Sequence, residues 1–116
     1  MDALLNTLKH YPDQVGFDVV INTINRHYHY TPTSFNNGLG KETLTNSAGC
    51  NEGSCRIFAF ALKKQLSEAE TLACFGHFYR EDVLQNPGGK SHQNIRNFMK
   101  YGWQGIQFSG IALTEK

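Results

Sequence analysis

Apolar residues recur along this chain mostly at helical spacing and only briefly at strand spacing, which predicts a mostly helical domain with a small sheet. Leu4, Leu5 and Leu8 outline a first short helix, closed by Pro12 and Asp13. Phe17, Val20, Ile21, Ile24 and Tyr28 then lie on one helical face, predicting an amphipathic helix from about Gln14 to His27 with Asn22, Asn25 and Arg26 on its polar side. A third helix, from about Ser54 to Gln65, is apolar nearly all round at Ile57, Phe58, Ala59, Phe60, Ala61 and Leu62, so it belongs inside a layered fold. Ser67 and Glu70 have capping-box spacing before a fourth helix striped with Leu72, Phe75, Gly76 and Tyr79, which Asn86-Pro87-Gly88-Gly89 ends. A fifth opens at Ser91 or His92, turns Ile95, Phe98 and Met99 inward, and stops at Gly102.

Two segments carry strand signals. HYHYTPTSFNNG alternates Tyr28 with Tyr30, is rich in Thr, and has Pro32, which suits an edge. The tail WQGIQFSGIALTEK reads as a strand or hairpin arm. Pairing Tyr28–Thr33 with Trp103–Leu113 closes a small antiparallel sheet against the helices. Between them, Gly38 to Gly53 is rich in Gly, Asn, Thr and Ser and reads as a long surface loop, a kind that is commonly disordered or functional. The result is one α+β domain over residues 1–116, with about five helices and a small antiparallel sheet.

Eleven Lys and Arg against ten Asp and Glu give a net charge of +1, so no overall field points to nucleic acid. No apolar run is long enough to cross a bilayer, and MDALLNTLKHYPD lacks a signal-peptide layout, so the expected location is the cytoplasm where the chain is made, with no membrane partner. Three cysteines, Cys50, Cys55 and Cys74, favour reduced thiols over a disulfide framework.

The phrases YHYTPTSFNNG, AGCNEGSCRIFAFA, LSEAETLACFGHFYREDVL and HQNIRNFMKYGWQGIQFSGIAL together resemble the HopJ family, bacterial proteins labelled type III effectors, over about Phe17 to Leu113. The resemblance implies no biochemical activity, but its label implies delivery into a host cell. The N-terminus here reads as a Leu-bearing helix rather than a Ser-rich leader. Cys50 and His77 stand where the family generally has other residues, so Cys55 and His92 carry more weight.

Candidate chemistry gathers at two predicted helix starts. Cys55, near the opening of the buried helix, has a dipole that favours a thiolate, and His92 follows a Gly-rich turn. Were the two to meet, Cys55 would attack an acyl-type electrophile, His92 would shuttle its proton, and Asn94 or Glu52 would orient the ring, giving a cysteine-dependent hydrolase or transferase. The plainer reading of Cys55 is a small buried hydrophobe. Asn51, Gly53 and Ser54 offer main-chain N–H donors to a phosphate, carboxylate or carbonyl, with Arg80 or Arg96 as opposing charge; equally, Ser54 serves as an ordinary N-cap. Trp103, with Tyr28, Tyr30 and Phe35, either lines a ligand groove or plugs the space between sheet and helices.

Cys50, Cys55, Cys74 and His77 make a C-x4-C, 18-residue, C-x2-H pattern within the range of zinc sites, although Cys74 sits in a core-like stretch. His27 and His29 would share one strand face, and Arg96 with Lys100 would share one helix face near Tyr101; both read as exposed surface. The primary expectation is therefore a binding or regulatory module for an unknown protein or small molecule, built from Asn51–Cys55 and His92–Asn94, and needing no cofactor.

Overall fold

The computed structural model describes residues 1–116. Helix α1 (Asp2–His10) carries Asp2 in its first turn and Lys9 and His10 in its last, each on the side that the helix dipole favours, and buries Leu4 and Leu8. Pro12–Gln14 forms a separate 3-10 turn, so α2 (Phe17–His27) starts three residues later than Gln14, with extended Gly16 as its N-cap. It runs without a loop into β1 (Tyr28–Tyr30).

The expected single sheet is divided in two. Strand β1 pairs antiparallel with β5 (Leu113–Glu115), Tyr30 opposite Leu113, and Thr31 adds one more bond to the Ala112 carbonyl at 2.8 Å. Pro32, which has no N–H to give, follows at once and ends the ladder. The chain then forms β2 (Phe35–Asn37), the centre of a second sheet between β3 (Leu44–Asn46) and β4 (Gln107–Phe108). Strand β3 lies inside the segment expected to be loop; its three residues are too short to stand out against their polar flanks.

Helix α3 (Glu52–Lys64) is the central rod, burying Cys55, Ile57, Phe58, Ala59, Phe60 and Ala61. Phe58 is fully buried amid Phe35, Phe75, Phe98 and Trp103, with ring centroids 5.1–6.4 Å away. Trp103 belongs to this plug: its indole N–H donates to the Leu66 carbonyl at 3.2 Å and its ring packs edge-on against Phe98. It lies in a 3-10 turn (Gly102–Gly105), not a strand.

Helix α4 (Glu68–Ala73) opens on the Ser67–Glu70 capping box. The expected continuation through Tyr79 breaks at Gly76, whose positive φ and close approach to the Phe17 backbone leave no room for a Cβ, the ideal atom falling 2.7 Å from Phe17 N. A π-helical turn (Phe78–Val83) follows; such turns recur at functional sites. Helix α5 (Gln93–Tyr101) buries Ile95 and Phe98 and ends at Gly102, while Met99 faces outward, 43 % exposed.

Candidate functional site

A cavity of about 480 Å³ opens between the starts of α3 and α5. Asn51, Gly53 and Ser54 form one side and His92, Gln93 and Asn94 another, with Thr45 and Asn46 of β3 between. Phe17, Phe75 and Phe78 supply an aromatic wall. Gly76 makes that wall possible, because Phe75, Phe78 and Phe17 converge only if the chain turns hard there.

Both helix starts are unusual. Asn51 (φ 52°) and His92 (φ 54°) are N-caps held in the left-handed region, and neither helix has a side-chain cap. Only Gln65 joins them among non-glycine residues with positive φ. Left-handed backbone costs an L-residue about 1–2 kcal/mol, less for Asn. The first ladder bonds are Cys55 N–H to Asn51 C=O and Arg96 N–H to His92 C=O. The preceding amides, Glu52 to Ser54 and Gln93 to Ile95, therefore lie outside the helical ladders. Helix α3 thus opens two residues earlier than the expected Ser54, and Ser54 is not its N-cap.

Beneath the cavity lies a buried asparagine cluster that joins β2, β3 and α5. The Asn94 carboxamide oxygen accepts from Asn37 Nδ2 (3.0 Å) and Asn46 Nδ2 (3.1 Å), and Asn94 Nδ2 donates to Asn46 Oδ1 (2.9 Å). Asn51 Nδ2 reaches the same Asn46 oxygen at 2.7 Å, and that contact ties the α3 start to the cluster. Asn97 continues it to the Asn37 and Glu42 carbonyls. Asn94 is thus a structural hub rather than a group orienting His92.

His92 has a different partner, Asp82 of the π-helical turn, at 3.1 Å from Nε2 to Oδ2. Its ring also packs against Phe78 at 5.2 Å between centroids. Cys55 does not line the cavity. Its thiol donates to the Thr33 carbonyl at 3.4 Å, away from the cavity, and burial raises its pKa. Glu52 likewise turns that way, toward Tyr30, whose buried hydroxyl forms no well-made hydrogen bond. Burial, then Glu52 and Cys55, push that phenol well above its ordinary pKa. The nucleophile and base of the cysteine reading therefore bond to separate partners.

Neither arginine faces the cavity. Arg80 holds the Val15 carbonyl at 2.9 Å and pins the π-helical turn to the start of α2, while Arg96 clasps the Ser91 and Asn86 carbonyls of the preceding loop. The quartet Cys50, Cys55, Cys74 and His77 does not assemble: Cys50 and His77 are exposed, and Cys55 and Cys74 are buried. Burial raises the Cys74 thiol to about 12, far from the thiolate that zinc needs. No three His, Cys, Asp or Glu side chains are grouped to hold a metal. The sequence drew no attention to Asp82, Asn37, Asn46 or the three-phenylalanine wall.

This is a small α+β domain with one uncharged, amide-rich cavity walled by aromatics. The family described as "HopJ type III effector protein" matches residues 1–113, and the chain belongs to that family. A crystal structure of the unknown function protein VPA0580 is similar over the whole chain, at 47% identity, 93% coverage of that protein and a TM-score of 0.95. No curated protein matches. No helix is long and apolar enough to cross a membrane.

Proposed function

We propose that the domain is a small binding module whose cavity between α3 and α5 captures the anionic head of a ligand, a carboxylate or phosphate-like group, while Phe17, Phe75 and Phe78 take its apolar body. The observation that carries this reading is the pair of helix starts without side-chain caps, each entered through a left-handed N-cap, at one cavity. Backbone held in sparsely populated regions commonly marks a place where function has been built in.

With no Lys or Arg on the walls, attraction for the anion comes from oriented N–H groups and from His92. Each helix start contributes up to ~2 kcal/mol in a partly buried setting, so two give about 4 kcal/mol, a dissociation constant near millimolar for a bare anion. Tighter binding requires the aromatic wall. The cysteine-dependent alternative loses support because the Cys55 thiol is buried, protonated at neutral pH and turned away.

Calorimetric titration tests the binding reading with sulfate and with phenyl phosphate. The native protein should bind both, phenyl phosphate more tightly, and Ser54→Glu should lose both, because its carboxylate takes the same amides. Identical binding by native protein and variant, or no heat from either ligand, contradicts the reading.

We place this module in the bacterial cytoplasm where it is made, with delivery into a host cell as the further step that its family's description suggests. A translocation reporter fused to the chain should give a host-cell signal only when the secretion apparatus is intact. Equal reporter signal without the apparatus counts against delivery by that route.

A further inference from the structure

Resting on that reading of the cavity, we infer that His92 couples anion capture to uptake of one proton, with Asp82 as its positioning residue, since the imidazole lines the cavity and gives its Nε2 to the Asp82 carboxylate at 3.1 Å. An ionised carboxylate only accepts hydrogen bonds, so Nε2 carries the hydrogen in the neutral ring. The other nitrogen, Nδ1, then bears a lone pair and has no protein partner. Bare, that nitrogen has no hydrogen to give an anion. Protonated, the same atom becomes a donor.

The charge balance is simple. One proton leaves solvent for Nδ1, the imidazolium keeps Nε2–H on Asp82, and the new N–H is given to an oxygen of the anion. No covalent bond forms or breaks in the ligand. The α5 start opposes a bare cation at that position, and the Asp82 charge offsets this. Three other charged or titratable groups nearby have partners of their own. His77 stacks on the neighbouring Phe78 ring at 4.2 Å, Arg96 of α5 holds the loop carbonyls, and Glu52 of α3 lies beside Tyr30. Asp82 is the one anion bonded to the ring, and its side chain is 46 % exposed.

The test uses sulfate, which stays a dianion throughout, and follows the protein by NMR from pH 8 to pH 6. Sulfate affinity should rise by about tenfold or more from pH 8 to pH 6. The His92 ring signals should report the protonated form when sulfate is bound. His92→Gln, which keeps a donor but cannot titrate, should bind with a flat pH profile. Asp82→Asn should weaken the rise, and His77→Gln should leave it in place. Sulfate affinity that is independent of pH, or a rise that survives in His92→Gln, overturns the proton coupling while leaving anion binding intact. Absence of sulfate binding at every pH removes the binding reading and this inference with it.

Discussion

Helices α4 and α3 meet the same physical problem and solve it in opposite ways. At α4, Ser67 Oγ accepts from the Glu70 amide at 3.1 Å and the Glu70 carboxylate accepts from the Ser67 amide at 2.9 Å, so the start is closed by its own side chains. At α3, Asn51 enters through left-handed backbone and spends its side chain on Asn46, leaving the first amides of the helix without a side-chain cap. Helix α5 repeats the pattern, with His92 spent on Asp82. A self-capped start is a finished structural part. A start whose cap residue is diverted sideways keeps its donors available, and here two of them share a cavity.

The largest effect is expected where the diverted starts are anchored. Asn94→Ala removes the hub's three side-chain hydrogen bonds, while Asn37 Nδ2 keeps the residue-94 carbonyl and Asn46 Nδ2 keeps only the 3.4 Å contact to the Phe35 carbonyl; at ~1 kcal/mol for each lost bond, urea unfolding should show a loss of about 3 kcal/mol. A loss within error would mean that the cluster is not what holds α5 to β2 and β3.

A smaller change separates the two kinds of start. Ser67→Ala should cost about 1 kcal/mol by thermal unfolding and leave sulfate affinity unchanged, whereas Ser54→Glu should keep stability near native and abolish sulfate binding. If both variants affected stability and binding alike, the distinction between finished and open starts would fall.

Gln65, the left-handed residue at the other end of α3, measures what such backbone costs where no cavity benefits. Gln65→Gly should stabilise the fold by roughly 1 kcal/mol, because glycine adopts that conformation without a Cβ penalty. At the small end, a maleimide applied to the folded protein at pH 7 should modify exposed Cys50 and leave Cys55 and Cys74 unreacted until denaturant is added. Rapid labelling of Cys55 would restore the cysteine reading.

Helix periodicity, the Ser67–Glu70 box and the Gly102 stop were legible because each is a local signal that packing leaves in force. Strand β3 was not, since three residues in a polar segment become a strand only by pairing with Phe35–Asn37. The π-helical turn was equally hidden: Phe78 to Val83 reads as ordinary helix until Gly76 is seen against Phe17. At the site, the NEGS and HQN corners stood out as helix starts, but their sharing of one cavity is a product of topology. The direction of each side chain was the harder matter. Ser54 and Cys55 are adjacent, yet about 100° of helical rotation places one on the cavity and the other against Thr33. Asp82, ten residues before His92, carries no sequence signal tying it to that imidazole.

Amide NMR of the native protein titrated with sulfate tests the anion cavity most directly. The backbone N–H signals of Gly53, Ser54, Gln93 and Asn94 should shift together along one saturable curve in the millimolar range, while those of Glu68 to Glu70, at the self-capped start of α4, stay still. Shifts that are absent at the first set, or spread equally over both, would contradict an anion site between α3 and α5.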